Sequence, residues 1–301
     1  MSIFEAVKRK FGSDKQKLKI SLSLFCFALC FSVAFGAVQN AVTDWENNML
    51  RGTGYGAPSD NAKNPGHARM LAHQAAMLDA YRRLGEQANG IHVTASSTIA
   101  DNVSAGDIVK GEVDAVIKRA KVVSENYDDY GNCTVVLEVP LYGVKNSLAK
   151  IALKPVKKEA FPTPTVNATV ITQKPSESSA ASAPKNANIT AKGGYTGLIV
   201  DCSGLDLSPV MSPVIKNDGG QPIYGYKNLD YDKVVAEGMA SYAKSMQGNT
   251  SRAGANPLVV KAVSVENHNS YPIISTKDAD MVLIENQASH FLDNCAVVFI
   301  R

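Results

Sequence analysis

Five histidines, five cysteines and several closely spaced aspartates are the side chains of this sequence that could do chemistry. Histidine is the usual acid, base or metal ligand near neutral pH. Of His67, His73, His92, His268 and His290, the first two share one helical stretch but stand six positions apart. That places them on different faces, so the four-residue spacing that aims two imidazoles at one zinc ion is missing. No metal site and no cofactor is expected. A serine nucleophile would announce itself as Gly-x-Ser-x-Gly, which the chain lacks. Cys202 precedes Ser203-Gly204 with no histidine close in sequence, so a hydrolase using Cys202, or Asp201 beside it, would need a partner from elsewhere in the fold. Asp201 and Asp206 flank one short turn-like stretch, and Asp278 and Asp280 lie in another. Paired-carboxylate hydrolysis needs its two acids held about 5 to 9 Å apart in a cleft, which such spacing does not impose. The stretch "GTGYGAP" (52–58) has the glycines of a phosphate loop, but no Lys-Ser/Thr pair opens a helix after it. It reads as a flexible lead-in. No catalytic residue is expected, and the protein is read as non-enzymatic.

The N-terminus carries an address. A basic run, "VKRKFGSDKQKLK", precedes the uncharged apolar stretch "ISLSLFCFALCFSVAFGA", which ends in Ala34-Phe35-Gly36. This predicts a secretory signal over 1–36 with cleavage between Gly36 and Ala37. The alternative is an uncleaved anchor, because the apolar stretch approaches the ~20 residues that span a bilayer. Either way the remainder is exported, to the periplasm or outer membrane, or held at the inner membrane by that segment alone. Phe25 before Cys26 and Leu29 before Cys30 do not fit a lipid-attachment site. Beyond the signal remain Cys133, Cys202 and Cys295. An oxidising compartment permits one disulfide, for which Cys202 with Cys295 is the expected pair because both follow the linker. Cys133 alternates with Val135, Leu137 and Val139 and reads as a small buried hydrophobe.

The elements that must position these residues fall into two groups. With 301 residues, 45% hydrophobic and 20% charged, the chain can build two modest cores, and its net charge of +3 offers no basic stripe for nucleic acid. A Pro/Ser/Ala/Lys-rich linker over 151–193 separates a domain at 52–150, preceded by a lead-in at 37–51, from a domain at 194–301. As a flexible chain it would let the two orient independently. In the first domain, "ARMLAHQAAMLDAYRRLGEQANG" (68–90) predicts a helix, with Asn64-Pro65 as its start and Asn89-Gly90 as its stop. Leu71, Ala75, Leu78 and Ala88 form its apolar stripe, with Ala68, Ala72 and Ala76 beside them. "IHVTASSTI" predicts a strand and 105–117 a helix with Val109, Val113 and Val116 on one face. A hairpin about "DDYGN" follows. In the second, the expected order is a strand in "YTGLIVDCSG", a hairpin about "KNDGGQ", a helix over 231–245, and strands in "PLVVKAVSV" and "ADMVLIE". A short helix through Phe291 and a final strand "CAVVFI" complete it. The fold class is therefore α+β: two small domains, each a mixed sheet with helices packed on it.

"ARMLAHQAAMLDAYRRLGEQANGIHV" and "GEVDAVIKRAKVVSENYDDYGNCTVVLEVPLYG" resemble the family joining the Lpp-twenty outer-membrane lipoproteins to the N-terminal domain of flagellar assembly protein T. The segments "GYTGLIVDCSGLDLSPVMSPVI", "GGQPIYGY" and "ADMVLIENQASHFLDNCAVVFI" are similar to a module that follows such domains in exported bacterial proteins. The export signal, the two tethered units and the lack of a catalytic constellation predict a bacterial cell-envelope protein acting through contacts with envelope or flagellar proteins, and the resemblance implies a flagellar basal-body accessory as the alternative. It implies no catalytic residues.

Overall fold

The computed structural model describes residues 41–103, 107–165 and 191–301. The predicted signal, its Gly36/Ala37 junction and the middle of the linker, 166–190, lie outside the described residues. The fold is α+β, two layers of sheet and helix.

In the first layer an antiparallel sheet runs in the order β1 (Ala41–Asp44), β2 (Met49–Gly56), β6 (Cys133–Pro140), β5 (Lys121–Tyr127). Helix α1 (Pro65–Asn89) lies across it. Asn64 caps its start by accepting the His67 N–H at 2.8 Å, and Gly90 closes its end, as the sequence predicts. The small hairpin β3 (His92–Thr94) and β4 (Ser97–Thr98) replaces the single strand expected there. Helices α2 (Ile99–Val103) and α3 (Asp107–Ile117) follow, with Val113 and Val116 buried; the Val109 side chain lies outside the described set. The hairpin of β5 and β6 forms as expected.

The glycines of "GTGYG" are not a lead-in but the buried face of β2. A Cβ on Gly54 would stand 2.1 Å from the Ala76 carbonyl, and one on Gly56 2.0 Å from that of Ala72. Alternate strand residues rise about 6.6 Å and every fourth helix residue about 6.0 Å. Gly52, Gly54 and Gly56 therefore stay in step with Ala72, Ala76, Ala80 and Leu84 along the helix. This fit also corrects the helix stripe: Ala72, Ala76, Ala80, Leu84 and Ala88 are buried, whereas Leu78 is 73% exposed.

After the short helix α4 (Ala149–Ala152), the second layer is a seven-stranded mixed sheet. Its strands are β7 (Gly197–Asp201), β8 (Ile215–Asn217), β9 (Pro222–Tyr224), β10 (Ser241–Ala243), β11 (Pro257–Glu266), β12 (Tyr271–Ile274) and β13 (Val297–Ile300). The spatial order is β10-β13-β7-β11-β12-β8-β9, and the first three pairings are parallel. The C-terminal strand is thus interior, which removes the exposed apolar edge that "CAVVFI" would otherwise present. The helix expected over 231–245 stops early: α5 (Tyr231–Glu237) ends at Gly238, whose φ of 80° leaves the helical region, and Ser241–Ala243 pairs with β13. "ADMVLIE" is helical, not extended. It lies in α6 (Thr276–Ser289), capped by Ser275, whose hydroxyl accepts the Asp278 N–H. A helix buried around most of its girth reads as a continuous apolar run, which periodicity cannot tell from a buried strand.

The layers do not orient independently: one apolar core runs through both. The Tyr142 hydroxyl donates to the Met211 carbonyl at 3.2 Å, Gly143 N–H to Val235, and the N–H groups of Met211 and Ser212 to the carbonyls of His92 and Val93. Part of the compositional linker is docked as well. Tyr226 Oη donates to the Lys154 carbonyl, Glu159 N–H to Lys227, and Phe161 stacks on Tyr224 with ring centroids 6.4 Å apart. Thr165 donates N–H and hydroxyl to buried Asp280, and the N–H groups of Lys192 and Gly193 donate to buried Glu285. The residues flanking 166–190 on either side are therefore held on α6.

Candidate functional site

The groups nominated from sequence are scattered. His67 belongs to the start of α1, where its Nδ1 accepts the Lys63 N–H. His73 faces Glu125 at 3.6 Å, and His290, at the end of α6, faces Asp293 at 3.6 Å. His268 sits in the β11–β12 turn with φ 55°. Among the described residues no three His, Cys, Asp or Glu side chains are grouped to hold a metal. Asp201 caps its own turn, accepting from Ser203, and those hydrogen bonds hold its carboxyl below the usual range. Asp206 occupies a turn with φ 51°. Asp278 takes the Ser275 hydroxyl at the helix start, whereas Asp280 clamps Thr165, so the two are not a catalytic pair.

Cys133, Cys202 and Cys295 are buried and free, which corrects the expected Cys202–Cys295 disulfide. The register explains why. Strands β7 and β13 are parallel, with Val297 beside Leu198 and Ile300 beside Asp201. Cys295 precedes the start of one strand and Cys202 follows the end of the other. The offset of about six strand residues is roughly 20 Å, far beyond the ~7 Å that a disulfide tolerates. Burial pushes the Cys202 thiol up to about 12, aided by the Asp201 charge. A thiol held in its neutral form without access to solvent is no nucleophile.

What the fold does assemble is a polar cleft of about 500 Å³ where the layers meet. The β1–β2 turn contributes Glu46, Asn47 and Asn48, and the start of β10 contributes Ser241 after Glu237. The opposite wall is Asn249, Ser251 and Arg252, with Asn294 and Ala296 before β13. The turn is built by Asp44, which accepts from the Asn47 N–H at 3.0 Å and side-chain amide at 2.8 Å. Asn48 has φ 57° and its carbonyl accepts the Leu141 N–H. Its Oδ1 is shielded and has no hydrogen-bond partner. Glu46 reaches across to accept the Asn249 N–H at 2.9 Å, fastening the turn to the second layer.

Arg252 is fixed by protein oxygens rather than by a carboxylate. Its Nε donates to Ser241 Oγ at 2.6 Å, one terminal nitrogen to the carbonyls of Gly238 and Cys295 at 3.1 Å each, and the other to the Glu237 carbonyl. Four of its five N–H groups are thereby engaged. Sequence reasoning passed over this cleft because "DWENN" and "GNTSRAGAN" are rich in Asn, Gly and Ser, which reads as turn composition. The only separate signal was a lone arginine within such a loop.

Residues 197–301 match a protein family described as Treponema pallidum Tp0624, second domain. No curated protein sequence matches the chain significantly. The C-terminal layer is thus similar to the second domain of a bacterial protein.

Proposed function

We propose that this protein is a non-enzymatic component of a bacterial cell envelope, exported to the periplasm or outer membrane, that works through contacts with other envelope proteins. The observation that carries this reading is the outward stripe of α1. Leu78 and Ala75 are exposed and Leu71 only half-buried, although the helix already buries a separate stripe against the sheet. Apolar side chains repeated on one exposed face are a contact surface in search of a partner. The burial of Cys202 and the local hydrogen bonding of Asp201 favour this reading over the hydrolase alternative.

The test is a photo-crosslinking amino acid placed at Leu78 in the native host, with Lys118, exposed in the turn just after α3, as the control. A discrete adduct with an envelope protein at Leu78 alone is expected. Matching patterns at both positions would sink the reading. Recovery of basal-body ring components would favour the flagellar accessory role that the first-layer resemblance implies.

A further inference from the structure

We propose that the cleft between the layers binds a neutral polyhydroxylated ligand, one or two sugar rings in size. This is independent of the protein contacts assigned to α1. The volume of about 500 Å³ lies within the range of small-ligand sites, about 300 to 1,000 Å³, but nearly every group on its wall is polar. An apolar ligand would strip water from amides and charges without replacing the hydrogen bonds.

Charge narrows the choice. Glu46 and Glu237 on the rim repel an anion, and Arg252 opposes a cation. A carboxylate would seek the two-pronged guanidinium contact, but four of the five Arg252 N–H groups are already committed to Ser241 and to three backbone carbonyls. One N–H remains, enough for a single hydroxyl oxygen. Each asparagine offers both a donor and an acceptor, and a hydroxyl is likewise both. The shielded Asn48 Oδ1 is out of a ligand's reach, so the amides of Asn47, Asn249 and Asn294, with Ser251, carry this matching. No aromatic ring lines the cleft among the described residues, so stacking adds nothing and the affinity is expected on the order of millimolar.

The experiment uses the full chain, isotope-labelled and held in a detergent without sugar headgroups. It is titrated with maltose, N,N′-diacetylchitobiose, glycylglycine and inorganic phosphate while backbone amide shifts are followed. Saturable shifts at Asn249 and Arg252 with either disaccharide are expected, and none with glycylglycine or phosphate. Ser251→Ala removes a wall hydroxyl, and Asn294→Ala trims an exposed wall residue. Each should weaken binding about tenfold while the rest of the spectrum stays unchanged. Absence of saturable shifts with both disaccharides overturns the proposal, as do equal shifts with glycylglycine or binding that neither variant alters. If Ser251→Ala fails to fold, Asn294→Ala alone decides.

Discussion

Burial sets the alkaline limit of this fold. The phenols of Tyr142, Tyr224 and Tyr242 are pushed up by loss of solvent, and their hydroxyls tie backbone carbonyls of Met211, Met239 and Val210. Burial likewise raises the thiols, Cys202 to about 12 and Cys295 to about 11. A group whose folded value is raised holds its proton more tightly when folded. Its contribution is complete below the unfolded value and is lost as pH rises through the folded one. The urea midpoint, followed by circular dichroism, should therefore hold to pH 9.0, the ordinary thiol value, and fall steadily towards about 12. A midpoint flat across that window would contradict the burial. At the acid end Asp79 behaves oppositely. Burial raises it, but hydrogen bonds from Arg82, the Tyr55 N–H and Arg83 outweigh that and hold it low, so its share is lost only as pH falls below 3.8.

Among the elements, β2 and α1 show the tightest fit. Gly54→Ala would place a methyl 2.1 Å from the Ala76 carbonyl and 2.3 Å from the Ala80 nitrogen, both backbone atoms that only a shift of the whole helix can move. The expected loss is about 3 kcal/mol, the upper end of the usual cost of overpacking. Gly85 on the same helix has nothing within 4 Å of its missing Cβ. Gly85→Ala should gain roughly 0.5 to 1 kcal/mol from helix propensity. Urea unfolding of the two variants checks both signs; similar values would mean that the glycine-to-alanine contact is not what holds the helix. The same pair shows how far the pattern could be read. The caps at Asn64 and Gly90 are local chemistry and were visible. The choice between the Leu71 stripe and the Ala76 stripe was not, because it depends on a strand whose glycines admit only a helix face of small residues.

For the whole molecule, the shared core and the two anchors on α6 make 166–190 a connection between parts already joined. A protease site placed within 166–190 and then cut should leave two fragments that co-elute on size exclusion in native buffer. They should separate only in denaturant. Separation in native buffer would restore the picture of two tethered bodies that composition alone suggests. Over 153–165 the linker's composition did signal a break in regular structure, but that stretch is fastened by the second layer: by Lys227, by the Tyr224 ring and by Asp280.

The α+β class, the capped ends of α1, the β5–β6 and β8–β9 hairpins and a final strand that pairs were legible in the sequence. Each of these follows from neighbours within a few residues: cap side chains, turn residues and alternation of apolar positions. Only the tertiary structure decided that "ADMVLIE" is a helix, that Cys202 and Cys295 lie at opposite ends of adjacent strands, and that the layers share a core. It alone brought Glu46 and Arg252 onto one cleft. These outcomes depend on which residues distant in sequence meet, and strand order and register set that, not local periodicity.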